Sequence, residues 1–127
     1  QVEDVRAGLV SRWLPVVLFA ALIFVGSSIP GNAINPRLTI HDKVVHAGEY
    51  AVFALLLARA IGARWWWLAI VAGALYGVSD EFHQTFTPMR SGNDLGDMTA
   101  DLVGSAIGAV SWRLLLRRRR VDGTKSA

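Results

Sequence analysis

The chain has 127 residues, which suits one domain, and it is 53% hydrophobic with 18% charged residues and a mean hydropathy of +0.38. Soluble domains usually carry about 25% charged residues, so the balance leans towards a membrane. The absence of cysteine excludes disulfides, thiolate catalysis and cysteine-ligated metals, and the net charge of +3 does not indicate nucleic acid, because the basic residues sit at the ends of apolar runs.

Residues 1–12 are polar and mixed, and are expected to form a short cytoplasmic segment with Arg6 and Arg12. The chain opens on Gln1 rather than Met, so an upstream start is expected. Trp13 begins an uncharged stretch that lasts until Arg37. A first membrane helix is predicted over 13–30, with Arg12 and Trp13 as interfacial anchor, Pro15 in its first turn and Ser27-Ser28-Ile29-Pro30-Gly31 as its stop. Pro30-Gly31-Asn32-Ala33 is a poor cleavage site, so the helix is expected to remain as an anchor.

Pro30-Gly31-Asn32 and Asn35-Pro36 mark a loop. Asp42 suits the N-cap of a second helix over 43–61, ended by Gly62. Asp42, His46, Glu49, Tyr50 and Phe53 recur at three- and four-residue steps and share one face. Arg59 and Arg64 bracket a short turn, and Trp65-Trp66-Trp67 follows. Indoles beside arginines suit a membrane–water interface, where one side of the ring is apolar and the other wet, although an aromatic core cluster has the same composition. A third helix is predicted over 65–82, with Gly73 and Gly77 placed for close approach of a neighbour. Thr85 to Leu95 reads as loop. A fourth helix is predicted over 97–116, where Asp97 and Asp101 are four apart and Ala100, Gly104 and Gly108 form a small-residue ridge. That ridge suits packing within the chain or a homodimer through Gly104 and Gly108. A basic tail, 117–127, is expected to face the cytoplasm.

The fold class expected is therefore all-α, an integral membrane bundle of four transmembrane helices in one domain over 13–116. Charge supports this number. Arg6, Arg12, Arg59, Arg64, Arg113, Arg117 to Arg120 and Lys125 fall on one side, against Arg37, Lys43 and Arg90 on the other. That asymmetry is the one expected of a chain with both termini in the cytoplasm. The start of helix two, the end of helix three and the start of helix four then share the outer pole. Asp42, Glu49, Asp80, Glu81, Asp94, Asp97 and Asp101 lie there, with all three histidines, His41, His46 and His83. Ionisable groups beside apolar runs are costly unless paired or functional, so this pole is the expected site, open to the extracytoplasmic face.

The motifs Asp42-Lys43-x-x-His46-x-x-Glu49-Tyr50, Tyr76-Gly77-x-Ser79-Asp80-Glu81-x-His83-Gln84, Pro88-x-Arg90 and Asp97-x-x-x-Asp101-x-x-Gly104-x-x-x-Gly108 resemble the VanZ-like family. The resemblance covers about residues 42–108. It implies a small multi-pass membrane protein, and a link to teicoplanin susceptibility through the family's founding member. It implies no settled mechanism. The pattern leads to Asn at position 101, where this chain has Asp101, and the added negative charge favours a cation.

Three chemistries fit the pole. In the first, Asp42, Lys43, Glu49, Tyr50, Gln84, Arg90, Asp97 and Asp101 bind a lipid-linked or cell-wall precursor, with Lys43 and Arg90 on its phosphate. His46 or His83 would then act as acid or base, and Asp80 and Glu81 would orient a histidine. In the second, His46 and His83 with Glu49, Asp80 or Asp101 hold a divalent metal such as zinc or manganese. In the third, the charges pair with one another and lock the bundle's register, as in a structural or partner-binding membrane protein. Four helices without an inverted repeat rank transport low. Membrane lipids are expected partners, above all at the terminal arginines.

Overall fold

The computed structural model describes residues 1–34 and 42–125. Asn35, Pro36, Arg37 and His41 therefore lie outside the described residues. Among the described residues there are four helices and no strand: α1 (Val2–Ser27), α2 (Asp42–Ile61), α3 (Leu68–Gln84) and α4 (Leu95–Lys125), with a 3-10 turn at Gly31–Ala33. The helices alternate in direction. The end of α1 meets the end of α3 through Ser27 and Asp80, the start of α2 meets the start of α4 through His46 and Asp101, and the start of α1 meets the end of α2 through Ser11 and Arg59.

Helix α1 begins well before the apolar run. Glu3 and Asp4 in its first turn suit the positive end of the helix dipole, and the polar opening segment is its first part. Pro15 consequently lies inside the helix and not in its first turn. A proline there removes one i to i−4 hydrogen bond and leaves the carbonyl of Ser11 unpaired. The Arg59 guanidinium from α2 donates to that carbonyl at 3.3 Å. The far end of α1 closes as its stop signal predicts, with Ser27 and Ser28 hydroxyls bonded back to the carbonyls of Ile23 and Phe24.

Helix α2 packs against all three others. Its buried residues, His46, Tyr50, Phe53, Ala54, Leu57, Ala58 and Ala60, make one continuous stripe, because steps of three and four residues return to one face. The polar face expected from spacing is thus the inward face. α3 opens three residues later than expected, because Trp65 to Trp67 form an i to i+3 turn first. Trp65 and Trp67 are exposed, with Arg64 over the Trp65 ring, and Trp66 is half-buried. α4 runs on through the four arginines, since leucine and arginine are strong helix formers and nothing breaks the run.

Two helices, α1 with mean hydropathy 2.1 and α2 with 1.5, are long and apolar enough to cross a membrane. At about 1.5 Å per residue each reaches roughly the thickness of a hydrocarbon core of about 30 Å.

The glycine ridges set the interhelical distances. A side chain on Gly104 or Gly108 would run into the backbone of Ala47 or Ala51 of α2, and one on Gly73 or Gly77 into Ser105 or Asp101 of α4. The Gly104–Gly108 ridge is thus occupied within the chain, and a homodimer through it would require the α2–α4 seam to open. Gly108→Ala, which overpacks this seam, is expected to lower stability by about 1–3 kcal/mol. Gly48→Ala, on an exposed part of α2 with open space around it, is expected to raise stability by about 0.5–1 kcal/mol. Thermal unfolding in detergent measures both.

Candidate functional site

The end of α1, the start of α2, the end of α3 and the 85–94 loop enclose a cleft of about 170 Å³. Asp42, His46 and Glu49 enter it from α2, Asp80 and Gln84 from α3, Arg90 from the loop, and Gly26 and Ser27 from α1. The i, i+3, i+4 and i+7 spacing on α2 and the i, i+4 spacing on α3 carry these side chains to one place.

His46 is the best positioned of them. Its Nδ1 lies 2.9 Å from Oδ1 of Asp101, which is 0% exposed. A carboxylate accepts, so Nδ1 carries a proton towards Asp101, and Nε2 is the nitrogen on the cleft side. Nε2 points towards Asp42, 4.0 Å away on the cleft wall. The other oxygen of Asp101 has no hydrogen-bond partner and packs against Gly77. The aspartate at a position where the family pattern led to asparagine thus orients a histidine.

Arg90 closes the cleft from the loop. Its Nη2 donates to the carbonyl of Gly26 at 3.1 Å, and its Nε is buried without a partner. Thr87 donates to the carbonyl of Ser27 at 3.2 Å. Both satisfy last-turn carbonyls of α1, where a cation also complements the helix dipole. Asp80 accepts from the Ser27 hydroxyl, whose proton is shared with the Ile23 carbonyl, and from the Gln84 amide at 3.3 Å. The cleft therefore holds three carboxylates, one guanidinium and an oriented imidazole.

Other expected site residues sit elsewhere. Glu81 is 0% exposed and, among the described residues, reaches no histidine nitrogen; its Oε2 accepts the backbone N–H of Asp94 at 2.9 Å. It ties the 85–94 loop to α3. His83 lies on the α1 side, with Nε2 3.0 Å from the Ser28 hydroxyl and its ring stacked on Phe24 at 4.5 Å. Lys43 pairs with Asp97 at 2.9 Å and Asp94 at 3.6 Å. Tyr50 is fully buried beside Phe53, with its hydroxyl unpartnered. The expected metal set of His46, His83, Glu49, Asp80 and Asp101 is therefore not gathered at one point, because His83 faces Phe24 and Asp101 takes His46 Nδ1. The described residues bring Asp42, His46 and Asp97 together instead, with ligand atoms within 4.8 Å of one another. There the Lys43 ammonium already holds Asp97. Ser27 was missed by sequence reading, which took the Ser27-Ser28 pair as a helix stop. A hydroxyl at the end of an apolar helix was the available signal.

Asp94 starts α4. Its Oδ1 accepts the N–H of Gly96 at 2.7 Å and of Asp97 at 3.3 Å. These donors, with Lys43 nearby, hold its carboxyl below the ordinary value of 3.8. A carboxyl with a lowered native value stabilises the fold above its unfolded value, and loses that contribution as pH falls through the native one. Asp94→Ala is thus expected to melt below wild type at neutral pH, with the gap closing in acid. Asp94→Asn, which still caps, should melt between the two. A pH series of thermal melts checks this.

No curated protein and no solved structure matches the chain. The model of the VanZ/LLP1 family matches residues 11–116, which takes in α2 and α3, most of α1 and α4, and every residue of the cleft. The chain belongs to the VanZ/LLP1 family, and with two helices apolar enough for a bilayer it is a VanZ-like membrane protein.

Proposed function

We propose that this is a multi-pass membrane protein whose cleft opens to the extracytoplasmic face and binds the polar head of a lipid-linked cell-envelope precursor, altering susceptibility to teicoplanin. The observation that carries the reading is His46, held at Nδ1 by buried Asp101, facing a cleft that also receives Arg90. Arg90 offers planar donors to a phosphate. Asp42, Glu49 and Asp80 offer acceptors to the hydroxyl or amine donors of a sugar or peptide head. His46 Nε2, oriented by a carboxylate on the opposite nitrogen, is suited to take or return a proton. The charge asymmetry of the loops supports both termini in the cytoplasm.

A non-enzymatic reading has its own support. Both oxygens of Asp80 are engaged within the chain, and Lys43 with Asp97 and Glu81 with Asp94 fasten α4 and its loop. Such a network locks the bundle without acting on a ligand.

The chain has no cysteine, so single cysteines report topology cleanly. Cysteine at Ser91 is expected to react with an impermeant maleimide on whole cells, and cysteine at Ala63 only after lysis. The reverse pattern rejects the outward cleft. In a susceptible host, His46→Gln and Arg90→Gln are expected to return the teicoplanin inhibitory concentration to the empty-vector value at unchanged membrane level and melting temperature. His83→Ala should keep the effect. Retained effect in both cleft variants sinks the ligand reading, and loss of folded protein in both favours the structural network.

A further inference from the structure

The opposite end of the bundle carries the opposite charge. Arg12 of α1, Arg59 of α2, Gly62 and Ala63 of the hairpin and Trp112 of α4 line a groove of about 450 Å³. No carboxylate is among the described residues that line it. Trp112 contributes a buried indole N–H with no acceptor, and a buried donor left unpaired is costly. Arg59 uses one donor on the Ser11 carbonyl that Pro15 leaves open. That contact fixes the guanidinium across the seam between α1 and α2, with the rest of its five donors still to be satisfied. The groove is thus lined by two arginines and by a tryptophan whose buried indole N–H has no partner. The hairpin beside it exposes Trp65 and Trp67, with Arg64 over the Trp65 ring, a combination suited to the level of lipid head groups.

We infer that this groove binds a phosphate group, held by Arg59 and Arg12 with the Trp112 N–H on a further oxygen. Guanidinium groups match phosphate oxygens in pairs. The phosphate comes either from the head of an anionic phospholipid or from a free ion. The inference is independent of the function proposed for the opposite pole.

Native mass spectrometry of the full chain in detergent tests it, with phosphatidylglycerol, phosphatidylcholine and inorganic phosphate as probes. One phosphatidylglycerol should be retained per chain, several-fold more than phosphatidylcholine. Arg59→Gln should lower retention about tenfold, the scale of a lost hydrogen bond to a charged group. Trp112→Phe should lower it several-fold while keeping the ring. Arg64→Gln, which removes the same charge outside the groove, should leave it unchanged. A phosphate adduct without lipid, lost in Arg59→Gln, keeps the groove and assigns it to the free ion. Equal loss in Arg64→Gln, or no preference for phosphatidylglycerol and no phosphate adduct, overturns the inference. If Arg59→Gln does not fold, retention in Trp112→Phe at the wild-type level overturns it alone.

Discussion

The close approach of α2 and α4 is the contact on which the polar pole depends. Gly104 and Gly108 bring α4 against the backbone of Ala47 and Ala51, at a separation that any larger residue would widen. One turn further along the same seam, His46 reaches Asp101 at 2.9 Å. Gly77 completes the arrangement from α3, because Asp101 lies where a side chain on Gly77 would be. Three glycines thus define the space in which one carboxylate and one imidazole meet.

Around that seam, several polar groups have a local structural partner before any ligand is considered. Arg90 and Thr87 satisfy the carbonyls at the end of α1, Glu81 holds the loop at Asp94, and Asp94 caps α4. The same bonds build the wall of the cleft. A loop that must bring Arg90 to α1 also needs the left-handed backbone at Met89 and Asn93, a conformation uncommon outside glycine. Substitution in this loop acts on fold and cleft together, which is why the fully buried Glu81 resembles a site residue in sequence while serving as a tether.

The two ends of the bundle are chemically distinct, and each distinction begins at a helix irregularity. At one end the last-turn carbonyls of α1 face Arg90 and the acidic cleft. At the other, Pro15 opens a carbonyl in mid-helix and Arg59 takes it. The proline that reads as a start signal thereby joins α1 to α2.

Local signals in the sequence were enough for the helices, the inward face of α2 and the gathering of acids at one pole, because apolar periodicity, charge distribution and glycine spacing are properties of the chain itself. The same pattern carried the family resemblance that the match over residues 11–116 bears out. The ends of α1 and α4 escaped, since polar but helix-forming residues extend a helix beyond its apolar core. Which polar residues meet could be decided only by tertiary structure. His46 and His83 are equal as sequence, yet one faces Asp101 and the other Phe24. The rotation of each helix about its axis, set by where the small residues allow contact, determines which side of a cluster faces the cleft, and spacing along one helix does not contain that rotation.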